Sequence, residues 1–194
     1  MLLETICIDK SIVINMDAHI VRMAKAGKHF DIKVPQLPNL VELLPSELGD
    51  KKVRCSITYD SKIIDIKFLE YIPRQISSLK LVTSDINYSH KMSDRAELNK
   101  LLKLKKNCDE VLIVKDGYIT DTTYSNIVFE NSEGLFTPTT FLLNGTKRQL
   151  LLDNGVINET EIRVNDLHKY QTAYLINAML DVGVIGVDID KIRL

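Results

Sequence analysis

From Lys52 to Tyr71 the chain reads KVRCSITYD, one serine, then KIIDIKFLEY, and apolar side chains alternate with polar ones on both sides of the break. Alternation with a period of two buries one face of a strand and wets the other, and two such runs joined by a tight turn form an antiparallel hairpin. A hairpin with one apolar face needs a cover, so this stretch commits its part of the chain to a sheet with other elements packed against it.

The preceding residues supply both more sheet and a cover. LLETICI followed by DKSIVIN predicts two strands around an Asp-Lys turn, and NMDAHIVRMAKAGKHF changes to helical spacing. Ile20, Met23 and Ala24 fall on one face of that helix, with Asn15 or Asp17 as its cap. PQLPN breaks the chain, and NLVELLPSEL predicts a short amphipathic helix. IPRQISSL carries a proline and little periodicity, which puts a boundary near Ile72 to Ser78. The expected division is a small α/β lobe over 1–75 and a larger lobe over 76–194 that includes Lys91. The second part reads as a strand (LKLVTS), a helix from Asp94 to Lys106, a strand (DEVLIV), an Asp-Gly turn, strands YSNIVFE and GLFTP, a helix from Thr146 and a strand-rich tail. This is an α+β pattern without repeats.

Composition narrows the function classes. Of 194 residues, 45% are hydrophobic, enough to bury a core in one domain or two small lobes. The net charge is -1 with both signs interspersed, so neither nucleic acid nor an anionic membrane is expected as a partner. Cys7, Cys55 and Cys108 lie far apart with no histidine at ligand spacing, which predicts buried thiols rather than a disulfide framework or a metal site. The start MLLETICIDKS lacks the features of a signal peptide and no apolar run reaches membrane-spanning length, so the expected compartment is the cytoplasm.

Four features carry chemistry. Lys91, in NYSHKMSDR, sits where a strand hands over to a helix, beside Tyr88, His90 and Arg95. Most lysines are solvated amines, but desolvation or neighbouring cations can leave one neutral and nucleophilic. Asp121, in KDGYITDTTYSNIVF, precedes a strand bearing Asn126. It reads either as turn chemistry or as a buried carboxylate that holds a proton on a heterocyclic nitrogen. In TPTTFLLNGTKRQLL, Gly145 and Thr146 open an apolar-periodic helix whose free N–H groups, hydroxyl and dipole suit a phosphate. Arg22, in HIVR, is either a surface residue or part of a bidentate phosphate clamp. Together they imply an electrophilic cofactor with a phosphate and a basic ring nitrogen.

In this order, ETICI, AHIVRM, HKMSDR, DEVLIV, GYITDTTYSN, FTP, LNGTKR and INAM, the chain resembles the fold-type IV pyridoxal phosphate enzymes, or class IV aminotransferases. That group includes branched-chain and D-amino acid aminotransferases and 4-amino-4-deoxychorismate lyase. The resemblance implies a two-lobed α+β fold like that of D-amino acid aminotransferase with a shortened amino terminus, pyridoxal 5'-phosphate as cofactor, a small-molecule amino substrate and a homodimer. It makes Lys91 the Schiff-base lysine and Arg22 a phosphate-binding residue. Asp121 stands where the family usually has Glu, five residues before Asn126. Gly145, Thr146 and Lys147 match the phosphate-holding helix start, and Asn177, Ala178 and Met179 match a second phosphate-side turn. Arg54 and Tyr88 are further candidates for the substrate pocket. The lysine-to-arginine spacing in HKMSDR is similar to the lyase branch, which forms 4-aminobenzoate and pyruvate for folate synthesis. An aminotransferase, or a member that binds the cofactor without turnover, are the alternatives.

Overall fold

The computed structural model describes residues 1–194, and the chain divides into two compact units, one comprising Met1–Ile72 with His90–Asp94 and the other Pro73–Ser89 with Arg95–Leu194. In the first unit, strands β1 (Leu2–Asp9) and β2 (Ile12–Val13) are followed by helix α1 (Met16–Phe30), a 3-10 turn (Ser46–Leu48) and strands β3 (Lys52–Tyr59) and β4 (Ile63–Glu70). They form one antiparallel sheet in the order β2-β1-β3-β4. The expected hairpin is β3–β4, with Cys55 opposite Phe68 and Ile57 opposite Ile66. The turn between β1 and β2 is made by Lys10 and Ser11, both at positive φ, one residue beyond the expected Asp-Lys pair. Two left-handed residues give the turn whose twist matches the flanking strands.

Ile6, Ile8, Leu40, Val53, Cys55 and Ile57 form the core of this unit, and a second cluster joins Leu2, Met23, Ala26 and Tyr59. Two helical expectations change. The buried face of α1 is His19, Met23, Ala26 and Gly27, while Ile20 is exposed, as is Ala24. The reason lies in β1: Leu2, Glu4, Ile6 and Ile8 share its inner face, so a carboxylate points where α1 must supply polar partners. NLVELLPSEL forms turns and only the 3-10 segment Ser46–Leu48, because Pro45 keeps Leu44 out of the helical region and Asn39 Oδ1 accepts from Val41 N–H instead.

In the second unit come β5 (Leu79–Thr83), α2 (Ala96–Leu102) extended by a 3-10 turn (Lys103–Lys105), β6 (Glu110–Lys115), β7 (Tyr118–Thr122), β8 (Asn126–Asn131) and β9 (Gly134–Pro138). There follow α3 (Thr146–Asp153), β10 (Asn158–Thr160), a 3-10 segment (Val164–Lys169), β11 (Thr172–Ile176), β12 (Gly186–Asp188) and β13 (Ile192–Arg193). One sheet runs β13-β5-β6-β7 and the other β10-β9-β8-β11-β12. β5 and β6 are parallel, linked through α2, and Glu110–Val114 is buried throughout, as expected of a strand covered on both faces. Asp116 and Gly117, both at positive φ, make the expected turn into β7. The helix expected from Asp94 is shorter, Ala96–Leu102, and ends in the tighter 3-10 turn.

The lysine motif departs from the expected division. The expectation put Lys91 with the larger lobe, whereas His90–Asp94 belongs to the first unit. β2 pairs with β1 only at Ile8 and Asp9, which leaves the other end of that edge open. Residues 91–93 fill it: Leu3 N–H donates to Lys91 O at 2.9 Å, Ser93 N–H to Met1 O at 3.1 Å, and Leu2 is bridged to Met92. Cys7, Cys55 and Cys108 are buried and not joined in disulfides, and no helix is long and apolar enough to cross a membrane.

Candidate active site

In the first unit the backbone of Lys91 is fixed on the β1 edge at Leu3, one residue from Glu4, and its side chain is half-buried. The ring of the preceding His90 stacks on His29 at 4.1 Å between centroids and meets Phe30 edge-on. Burial, and then the neighbouring His29, hold the His90 imidazole below its ordinary pKa. Arg95, expected beside the lysine, belongs instead to the second unit and donates to Thr123 O at 2.8 Å.

Arg22 is neither a plain surface residue nor alone. Its Nε donates to Glu4 Oε1 at 2.9 Å and its Nη2 to Glu4 Oε2, while His19 Nδ1 lies 2.6 Å from the same Oε2. Burial pushes the Glu4 carboxyl up, but the Arg22 charge and the hydrogen bonds from His19 and Arg22 outweigh it and hold the pKa at about 2. Glu4 therefore stays ionised. The signal for it was present in ETICI, as an acidic residue at an inward position of an apolar strand. Arg54 lies exposed on β3.

The second unit presents a different kind of carboxylate. Asp121, on β7, is buried, and its Oδ1 accepts from Asn126 Nδ2 at 2.8 Å while Oδ2 accepts from Leu142 N–H and Leu143 N–H, both at 2.9 Å. Burial pushes its pKa up to about 6 against these donors and the more distant charge of Arg148. Asn126 also donates to Leu143 O, so this amide and Asp121 together shape the loop that leads into α3. Gly145 precedes α3 because nothing larger fits: a Cβ there would lie 2.0 Å from Asn126 Oδ1.

The first turn of α3 is polar and buried rather than apolar, with Thr146, Lys147 and Arg148 all under a tenth exposed. Lys147 pairs with Asp181, and Arg148 pairs with Glu159, donates to Pro138 O and lies over the Phe141 ring. Arg148 and Asp181 were not singled out from the sequence. Arg148 was visible as a cation three residues after Gly145 on a helix meant to be buried, whereas nothing local marked Asp181. Asn177 Oδ1 accepts from Met179 N–H and its Nδ2 donates to Tyr124 O, so the turn Asn177–Leu180 is joined to the loop between Asp121 and Asn126. Ala178 is half-buried in that turn and Met179 is buried. Tyr88 packs against the cluster of Val82, Leu98, Val111, Ile113 and Leu142.

The first unit thus brings together an edge-strapped lysine and an arginine held by a buried glutamate. The second brings together a buried aspartate, a close-packed glycine, a helix start and a linked turn. Residues 1–187 match the model of the family described as amino-transferase class IV. An uncharacterised protein of Haemophilus influenzae is 33% identical over 183 residues, 92% of this chain and 97% of the relative. The solved structure of a candidate 4-amino-4-deoxychorismate lyase of Haemophilus somnus is 34% identical, with a TM-score of 0.81, over 92% of this chain and 95% of that one. That of a candidate amino-acid aminotransferase of Mesorhizobium loti shares the fold at 20% identity, with a TM-score of 0.79 over 100% and 99% of the two chains. With the family model covering nearly its full length, the chain belongs to the class IV aminotransferase family.

Proposed function

We propose that the chain is a pyridoxal phosphate-dependent lyase that converts 4-amino-4-deoxychorismate to 4-aminobenzoate and pyruvate, a reaction of folate synthesis. The observation that carries the specific activity is the 34% identity, along 92% of the chain, with the candidate lyase of Haemophilus somnus. The HKMSDR spacing supports the same branch.

The residues present fit the cofactor. Arg22 spends Nε and Nη2 on Glu4, and its remaining nitrogen, Nη1, takes no part in that pair, which suits it to a phosphate oxygen. Asp121 Oδ1 accepts one N–H and Oδ2 accepts two, so Oδ1 is the oxygen with room for the proton of a ring nitrogen. Gly145, Thr146 and Lys147 hold the phosphate at the head of α3, where an anion competes with Asp181 for the Lys147 ammonium. Asn126 keeps Asp121 oriented, and the Asn177–Ala178 turn adds a backbone contact.

Pyridoxal phosphate, when bound, supplies the electron sink for the pair released at the amine-bearing carbon. Lys91 Nζ would hold the cofactor covalently and, once freed, would be the base that takes the proton from that carbon. Breaking the ring carbon to oxygen bond releases enolpyruvate, to which the Lys91 ammonium would return the proton, giving the aromatic amine and pyruvate. Arg54, Tyr88 and Met179 are assigned to the substrate side, and a homodimer is the proposed assembly.

Protein mixed with pyridoxal phosphate is expected to gain a visible absorption band that Lys91→Ala lacks, and to release 4-aminobenzoate from 4-amino-4-deoxychorismate. A second reading, an aminotransferase, is favoured by the description of the family itself. Amino transfer to 2-oxoglutarate without release of 4-aminobenzoate decides for it. Cofactor binding with no turnover of any amine donor decides for a binding protein, and light scattering that gives a monomer mass removes the dimer.

A further inference from the structure

Glu4 takes no part in the proposed chemistry, yet it is buried and held by two side chains of α1. It is 1% exposed on the inner face of β1, between Leu2 and Ile6, and lies opposite Ile57 of β3. A carboxylate in such a place is costly unless charge and hydrogen bonds compensate it, and an apolar residue there would serve the core better. α1 compensates with His19 and Arg22, three residues apart and therefore on one side of the helix. The guanidinium approaches with two nitrogens, Nε and Nη2, one to each carboxylate oxygen. That fork-to-fork geometry fixes the plane of the guanidinium as well as its place, which a single contact does not do.

Building on the proposed role of Arg22, we infer that Glu4 is a positioning residue for phosphate recognition: it locks the Arg22 guanidinium so that Nη1 is presented to the phosphate. The same end of β1 holds Lys91 through Leu3 N–H, so the amine and the anion-binding group are set from neighbouring residues of one strand. Phosphate recognition here consists of a fixed donor rather than a mobile charge. Its signature is the difference in affinity between pyridoxal phosphate and pyridoxal, which lacks the phosphate.

The test is that affinity ratio, read by the visible absorption of each ligand titrated into wild-type protein, E4Q, E4D, R22A and the double variant E4Q/R22A. Loss of the orientation of one charge-assisted hydrogen bond predicts a ratio about tenfold lower in E4Q, with pyridoxal affinity unchanged. E4D retains charge but retracts the carboxylate and is expected to fall between E4Q and wild type, which keeps the test usable if E4Q folds poorly. In the R22A background, E4Q should lower the ratio no further. Equal loss of both ligands in E4Q and E4D, or additive effects of E4Q and R22A on the ratio, overturns the inference. A wild type that binds both ligands equally overturns the reading of Arg22 as the phosphate holder, and the role of Glu4 with it. A ratio that collapses in R22A and stays intact in E4Q and E4D overturns Glu4 alone.

Discussion

Glu4 and Asp121 are both buried carboxylates, one in each unit, and their acidities are driven in opposite directions. Glu4 faces a guanidinium and an imidazole and is held at about 2, whereas Asp121 faces an amide and two backbone N–H groups and rises to about 6. Burial opposes ionisation in both. Hydrogen bonds from neutral donors soften that penalty, and a full opposite charge at contact distance reverses it. The first arrangement makes a permanent anion that can orient a cation. The second makes a carboxylate that keeps an affinity for a proton near neutral pH, which suits the role proposed for Asp121 toward a ring nitrogen.

The largest test of the contrast is Glu4→Ala, which leaves Arg22 without its counter-charge and removes the carboxylate that His19 meets, and is expected to cost about 3 kcal/mol in urea denaturation. A loss under about 1 kcal/mol would show that the pair contributes little beyond exposed ion pairs. Next comes the pH dependence of stability. The folded pKa of Asp121 lies above its ordinary value of 3.8, so its contribution is complete below about 4 and is lost as pH rises through about 6. The folded pKa of Glu4 lies below its ordinary value of 4.5, so its contribution is present above that pH and is lost as pH falls toward 2. Each amounts to about 3 kcal/mol, so denaturation midpoints between pH 3 and 8 should lose the neutral-side slope in Asp121→Asn and the acid-side slope in Glu4→Gln. Identical profiles for all three proteins would remove the comparison.

Gly145→Ala sharpens it. The new Cβ displaces Asn126, the donor to Asp121 Oδ1, and is expected to cost about 2 kcal/mol while raising the acidity midpoint of Asp121 and leaving that of Glu4 alone. Asp181→Asn is the smallest, under about 1 kcal/mol, because the carboxylate that pairs with Lys147 is largely in water. A larger loss would mean that this pair resembles Glu4–Arg22 more than its exposure suggests.

Where the sequence was legible, the deciding information was local. The alternation of β3 and β4, the Asp-Gly turn before β7 and the apolar run of β6 each carry their own geometry. The inner face of α1 was not legible from α1, because Glu4 on β1 decides that His19 and Arg22 turn inward while Ile20 turns out. The candidate site divides in the same way. Lys91, Asp121 and the start of α3 could be found as motifs, but the grip of Glu4 on Arg22, of Asp121 on Leu142 and Leu143, and of Asp181 on Lys147 joins residues 18, 21, 22 and 34 positions apart. The unit to which Lys91 belongs was missed for a related reason: a strand only two residues long left an edge that a distant segment completes.

That completed edge has a consequence for synthesis. As the chain leaves the ribosome, β1, α1, β3 and β4 emerge before the residues that close the Leu2–Leu3 edge, so the nascent first unit carries unpaired backbone groups until residue 93 is free. Such an edge is a template for pairing with another chain. The segment that carries Lys91 therefore also closes that edge of the nascent first unit.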